Sequence, residues 1–176
     1  DGDLHEGISH ESASLAGHLG LGKLIVLFDD NSITIEGATD LSDSSDVPGR
    51  FKSYGWDVQE IDGHDHAAVR AAISAAEQIT DRPSLIACRT HIGHGSPNKQ
   101  DSEKSHGSPL GVEEARLTKT AMGWDPDAHF LVPDEARAGF AGLRERGAAK
   151  RRAWEEVWAR YQQAQPELAA AWTALH

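Results

Sequence analysis

The sequence predicts an α/β fold, an open and mostly parallel sheet with flanking helices, followed by a helical extension. Three observations carry that prediction. Leu24-Ile25-Val26-Leu27-Phe28 is an unbroken apolar run, too short for a helix and lacking the alternation of a strand that faces water on one side. Two further strand-like segments follow it, the second pair joined by a helix-patterned stretch, which is the layout of right-handed strand–helix–strand units. Beyond residue 111 the strand pattern stops and helical spacing alone remains.

Taken in order, Glu6 to Leu19 carries Ile8, Leu15, Ala16 and Leu19 among the small residues Ser12, Ala13, Ser14 and Gly17. That composition predicts a helix lying close against a sheet, stopped by Gly20 and Gly22. The apolar run 24–28 predicts a strand buried on both faces. Trp56 to Ile61 predicts a second strand. Asp65 is placed to cap a helix over His66 to Ile79, with Val69, Ala72, Ile73 and Ala76 on one face. Pro83 to Cys88 predicts a third strand. From Arg89 to Gly111 the chain turns to Gly, His, Ser, Pro and charge, a loop long enough to suggest function. Val112 to Met122 and Pro133 to Ala149 have helical composition, and Arg151 to Gln163 sets Trp154, Val157, Trp158 and Tyr161 at helical spacing. The expected organisation is an α/β unit over 1–111 and a helical extension of the same domain over 112–176.

Charge narrows the class of function. The 176 residues carry 17 Lys plus Arg against 28 Asp plus Glu, a net charge of -11. A nucleic-acid backbone or an anionic membrane as main partner would need a basic face instead. No run approaches the ~20 apolar residues of a membrane span, and no signal-peptide pattern opens the chain. Cys88 is the single cysteine, so no internal disulfide forms, and a reducing, cytoplasmic compartment is expected. The start at Asp1-Gly2-Asp3 without Met reads as a piece of a longer polypeptide.

In an open parallel sheet, ligands bind beyond the carboxyl ends of the strands. Three features should gather there: Asp1-Gly2-Asp3, the segment Asp29-Asp30-Asn31-Ser32-Ile33, and the loop from His91 to His106. Asp1 and Asn31 offer two hard oxygens, and Mg²⁺ takes roughly six such ligands, commonly completing its shell with phosphate and water. Gly2 lets the backbone approach an anion without a side chain in the way. Taken singly, each segment is also ordinary turn chemistry. A calcium loop starting at Asp29 fails, because Thr34 and Asp40 stand where Gly and Glu are required. Gly17, Gly20 and Gly22 end a helix instead of opening one, so they are no dinucleotide fingerprint. His91, His94 and His106 lack a fourth soft ligand at a suitable spacing for zinc. Trp154, Trp158 and Tyr161 read as packing, and Cys88 as a small buried hydrophobe.

Asp1-Gly2, followed by Glu6-Gly7-Ile8-Ser9 and by Asp30-Asn31, resembles the thiamine-diphosphate motif, whose first Gly would fall just before this chain. A more specific likeness runs through Ser14-Leu15-Ala16-Gly17-His18-Leu19-Gly20-Leu21-Gly22-Lys23, Ile33-Thr34-Ile35-Glu36-Gly37-Ala38-Thr39 and Tyr54-Gly55-Trp56. It continues in Ile92-Gly93-His94-Gly95-Ser96-Pro97-Asn98-Lys99 and Ser105-His106-Gly107-Ser108-Pro109-Leu110-Gly111. From residue 1 to about 125 the chain resembles transketolase.

The resemblance implies the later part of a thiamine-diphosphate-binding fold, incomplete at its N-terminus. It implies transfer of a two-carbon ketol unit from a ketose phosphate to an aldose phosphate, with thiamine diphosphate and a divalent cation, Mg²⁺ or alternatively Ca²⁺ or Mn²⁺. By the same resemblance, Asp1, Asn31 and the Ile33 carbonyl would hold the metal. Gly2 would meet the diphosphate, Ile35 and Ile92 the cofactor ring, and His106 both cofactor and substrate. Glu6 would join a network near the interface of a homodimer. The reactive carbon belongs to the cofactor, so the protein's part is orientation, an apolar wall and control of charge. The acid that activates the cofactor sits, in this family, in a pyrimidine-binding domain that these residues do not include, so the chain alone should not turn over. Dihydroxyacetone synthase, the more remote deoxyxylulose-phosphate synthase and phosphoketolase, and a non-catalytic split or truncated subunit are the alternatives.

Overall fold

The computed structural model describes residues 1–175. These fall into two compact units, 1–127 and 128–175, each described by itself.

The first unit is built on three parallel strands, β1 (Ile25–Asp30), β4 (Asp57–Asp62) and β5 (Ser84–Arg89), in the order β1-β5-β4. Between β1 and β4 stands a small antiparallel hairpin, β2 (Ile33–Thr34) and β3 (Gly37–Ala38). The middle strand explains the layering. Along β5, Leu85 and Ala87 face one apolar cluster while Ile86 and Cys88 face another, so both faces are covered.

The first cluster joins β5 to α2 (Gly7–His18) and α3 (Val47–Ser53), through Ala13, Ala16, Phe28, Phe51 and Trp56. Phe51 and Trp56 meet edge to face at 4.9 Å, a favoured aromatic geometry. The buried indole N–H of Trp56 donates to the Ala13 carbonyl at 2.9 Å, so this donor is not stranded. The second cluster joins β5 to α4 (His66–Ala76) through Ala72 and Ala76. Asp65 caps α4 as the sequence predicts, its carboxylate accepting from the N–H groups of Ala67 and Ala68.

Helix α2 packs by its small residues. Ala13 and Ala16 are buried, and a methyl group on Gly17 would strike the Tyr54 carbonyl. Ile8, Leu15 and Leu19, the larger apolar residues of this stretch, remain exposed. Strand β1 departs from expectation. Of its apolar run Phe28 is buried, but Leu27 is 50% exposed, because β1 pairs with β5 on one side and stands at the edge of the sheet among the described residues.

Short elements at the sheet's periphery escaped the sequence reading: the single turn α1 (Gly2–His5), the β2–β3 hairpin, and α3, capped by Asp46. The loop after β5 contains one 3-10 turn, Glu103–Ser105, and ends at α5 (Val112–Ala121).

The second unit comprises α6 (Asp134–Ala141), α7 (Leu143–Ala164) and α8 (Pro166–Leu175). The aromatic stripe packs within it: Trp154, Trp158 and Tyr161 stack along α7, and Trp158 meets Trp172 of α8 at 6.5 Å between ring centres. No helix among the described residues is long and apolar enough to cross a membrane.

Candidate cofactor-binding site

The register of the sheet brings the chemistry-bearing loops to one edge. Asp30 and Asp62 both pair with Arg89, so the chain leaves all three strands together at Asn31, Gly63 and Thr90. This is the carboxyl edge, where ligands of parallel sheets bind.

Asp1 ties itself to the loop after β1. Its Oδ2 accepts from the backbone N–H of Asn31 at 2.9 Å and of Ser32 at 2.9 Å. The Asn31 Oδ1 in turn accepts from the Ile33 N–H at 3.0 Å. Carboxylate, amide and the Ile33 backbone therefore form one half-buried chain of contacts across 30 residues of sequence. Ser32 sits at φ 61°, a left-handed conformation that costs a non-glycine residue on the order of 1 kcal/mol. Arg89 holds it there, donating to the Ser32 Oγ at 2.6 Å and to the Asp30 carbonyl at 3.4 Å, while the Ser32 carbonyl accepts from Thr39 N–H. Thr90 adds a hydrogen bond to the Asp29 carboxylate.

Two observations bear on whether a cation and a diphosphate fit. The donors are oxygens only, one of them anionic, which is what a hard divalent cation takes. A Cβ built on Gly2 would meet nothing within 4 Å, so the space beside this backbone is open. Among the described residues, no group of three or more His, Cys, Asp or Glu is arranged to hold a metal. The Asp1–Asn31–Ile33 set is of another kind, with one carboxylate, one amide and one main-chain carbonyl.

The other residues singled out by the sequence are distributed as follows. Ile35 is at the tip of the β2–β3 hairpin, 70% exposed, an apolar side chain with its face available. Glu6 is exposed between α1 and α2 in extended backbone. Ile92 is half-buried, and its carbonyl accepts from Asp101 N–H at 2.9 Å, which folds the loop back on itself. A Cβ on Gly93, which adopts φ 62°, would press on Ser105, so Ile92-Gly93 lies against the segment leading into His106. His106 is exposed and follows the 3-10 turn, its N–H donating to the Glu103 carbonyl at 2.9 Å. The structure thus gathers Asp1, Asn31 and Ile33, and separately Ile92 with the His106 segment. None of the described cavities is lined by both sets; the one that includes Asp1 also holds Asp30, Asp43, Asp46 and Glu60, the wrong sign for a diphosphate.

Sequence reasoning missed several residues at this edge. Arg89 and Thr90 read as the start of the long loop, whereas Arg89 closes β5, and their contacts to Asp29, Asp30 and Ser32 follow only from register. His64, His91 and His94 form a stack, with His64 and His94 ring centres 3.9 Å apart. The backbone N–H of His91 donates to the His64 Nε2 at 3.0 Å. The Asp101 carboxylate lies within hydrogen-bond distance of the His91 Nδ1, at 2.9 Å, and that contact holds its carboxyl below the usual range. Glu114, buried on α5, receives hydrogen bonds from Ser96 and Asn98.

Comparison with known proteins supplies the deciding observation. The family described as "Transketolase, thiamine diphosphate binding domain" matches residues 1–176. The chain belongs to the transketolase family. Transketolase 2 of Aliivibrio fischeri is 51% identical over 174 residues, which is 98% of this chain and 26% of that protein. Transketolase 1 of Escherichia coli K12 is 48% identical over the same length, again 98% and 26%. Among solved structures, transketolase from Leishmania mexicana superposes with a TM-score of 0.90 at 40% identity, covering 99% of this chain and 26% of that one. Pichia stipitis transketolase, solved in complex with sedoheptulose 7-phosphate, gives 0.88 at 41% identity, covering 97% and 25%. This transketolase-family chain therefore spans about a quarter of the length of the relatives it matches, and its α/β architecture is theirs.

Proposed function

We propose that this chain is the diphosphate-gripping part of a transketolase, an enzyme that moves a two-carbon ketol unit from a ketose phosphate to an aldose phosphate. The activity belongs to a longer, homodimeric and cytoplasmic polypeptide that also supplies the pyrimidine-binding domain. The observation that carries this reading is the Asp1 carboxylate hydrogen-bonded to Asn31 and Ser32 at the carboxyl edge of the sheet.

On this reading Asp1, the Asn31 side-chain oxygen and the Ile33 carbonyl hold a divalent cation, Mg²⁺ first and Ca²⁺ or Mn²⁺ as substitutes. Gly2 presents bare backbone to the diphosphate. When bound, thiamine diphosphate supplies the nucleophilic carbon. The chain's own residues orient and shield that centre. Ile35 and Ile92 give it apolar walls, which exclude water and lower the local dielectric. His106 hydrogen-bonds cofactor and substrate and moves a proton at a sugar hydroxyl, a task suited to imidazole near neutral pH. Glu6 links the two copies of the dimer.

Ketol transfer between a ketose phosphate and an aldose phosphate, assayed with thiamine diphosphate and Mg²⁺, tests the reading. The intact polypeptide should turn over, the isolated 176-residue chain should not exceed background, and Asn31→Ala in the intact polypeptide should weaken cofactor binding at least about tenfold, or ~1.4 kcal/mol. Turnover by the isolated chain, or none by the intact polypeptide, would refute it.

A further inference from the structure

Glu114 is an acidic residue in the first turn of α5, where a carboxylate ordinarily needs no partner beyond the helix dipole. Here the residue is only 8% exposed, and Ser96 beside it 2%. Its Oε1 accepts from the Ser96 hydroxyl and from the Asn98 N–H at 2.9 Å, and its Oε2 from the Asn98 side-chain amide at 2.9 Å. Every donor comes from the loop after β5, and both carboxylate oxygens are used.

The contacts continue along the loop toward His106. Ser96 Oγ also accepts from the Lys99 N–H at 3.2 Å. The Lys99 carbonyl accepts from the Ser105 hydroxyl at 2.6 Å, and the Lys99 ammonium donates to the Leu110 carbonyl at 2.8 Å. Ser105, directly before His106, and Leu110, farther along the loop after it, are therefore both tied to Lys99, and Lys99 is tied through Ser96 to Glu114. Met122, just past the end of α5, closes against Gly95 from the same side. An exposed histidine in a glycine- and serine-rich loop has no packing of its own to fix it, so its position must come from such anchors.

We propose that Glu114 is a positioning residue, which fixes the Ser96–Lys99 turn and through it sets where His106 stands. The proposal rests on the reading of His106 given above, and its tests separate the two.

Glu114→Gln replaces one acceptor oxygen with an NH₂ group that must face a donor, so at least one loop hydrogen bond is lost with little change in shape. Amide exchange in the intact polypeptide should be at least about tenfold faster across Lys99–Gly107 in this variant, with β1, β4 and β5 unchanged. Ser96→Ala, which leaves Glu114 in place, should loosen the same segment and guards against a variant that fails to fold. Activity provides the second arm through a double-mutant cycle with His106→Ala. Glu114→Gln should lower kcat about tenfold in the parent and have no further effect in the His106→Ala background. Unchanged exchange in both variants, or kcat losses that multiply, would overturn the proposal. Full activity in His106→Ala would instead defeat the reading of His106, and the exchange result would still decide whether Glu114 anchors the segment.

Discussion

Asp1 shows how much one carboxylate can organise. Its Oδ2 takes two backbone N–H groups, of Asn31 and Ser32, so truncation leaves both unpaired in a half-buried place. Asp1→Ala should therefore loosen the loop by about 1–3 kcal/mol, whereas Asp1→Asn keeps an acceptor oxygen and should chiefly lose the cation. Thermal melts with and without Mg²⁺ distinguish them: the alanine variant melts lower in both conditions, the asparagine variant loses only the increment due to metal. Glu114 is the pH-sensitive counterpart. Hydrogen bonds from Ser96, then from the Asn98 side chain and N–H, hold its carboxyl below the ordinary 4.5, with Lys99 as the charged neighbour adding to the effect and burial opposing it. With the native value depressed, its stabilising contribution is complete above about 4.5 and is lost as pH falls through the lower native value. Protection factors in the 96–107 segment should fall in that window and lose their pH dependence in Glu114→Gln. The approach of Asp1 to Asn31 was legible in the sequence, because both follow from the rule that ligands gather at strand carboxyl ends. Glu114 was not, since its partners lie 16 and 18 residues away in an aperiodic loop, and a glutamate starting a helix already has a local explanation.

At the scale of elements, close approach governs the first helix. α2 reaches the chain before β4 through Gly17, whose missing side chain makes room for the Tyr54 carbonyl. Gly17→Ala should destabilise the fold by about 1–3 kcal/mol, as overpacking does, and should lower the denaturation midpoint without altering the residues of the site. A midpoint equal to that of the parent would contradict the packing described here. The order of the long elements was legible because continuous apolar runs and an Asp cap leave little choice. The depth of each was less so. β1 and β5 have similarly apolar sequences, yet the residues from Ser84 to Cys88 are all buried while Leu27 is half exposed. Only neighbours separate them, since β5 lies between two strands and β1 at an edge. The β2–β3 hairpin, two residues per strand, is too short for any periodicity to register.

At the scale of the molecule, the first unit leaves several large apolar side chains in the open. Ile8, Leu15, Leu19, Leu27 and Leu41 are each at least half exposed in the first unit, and exposed apolar side chains of this size favour association with another surface. Matched relatives are about four times as long, this chain covering 26% of them. The 176-residue chain by itself should accordingly self-associate, with a sedimentation coefficient that rises with concentration; a single monomeric species at all concentrations would contradict this. The most direct test of the central claim, that Asp1 and Asn31 seat a divalent ion against a diphosphate, is paramagnetic broadening of the ³¹P resonances of thiamine diphosphate by Mn²⁺ bound to the intact polypeptide. The account predicts strong broadening of both phosphorus signals in the parent and its loss in Asn31→Ala. Bound thiamine diphosphate whose signals stay sharp with Mn²⁺ present, or broadening that survives in Asn31→Ala, would contradict it.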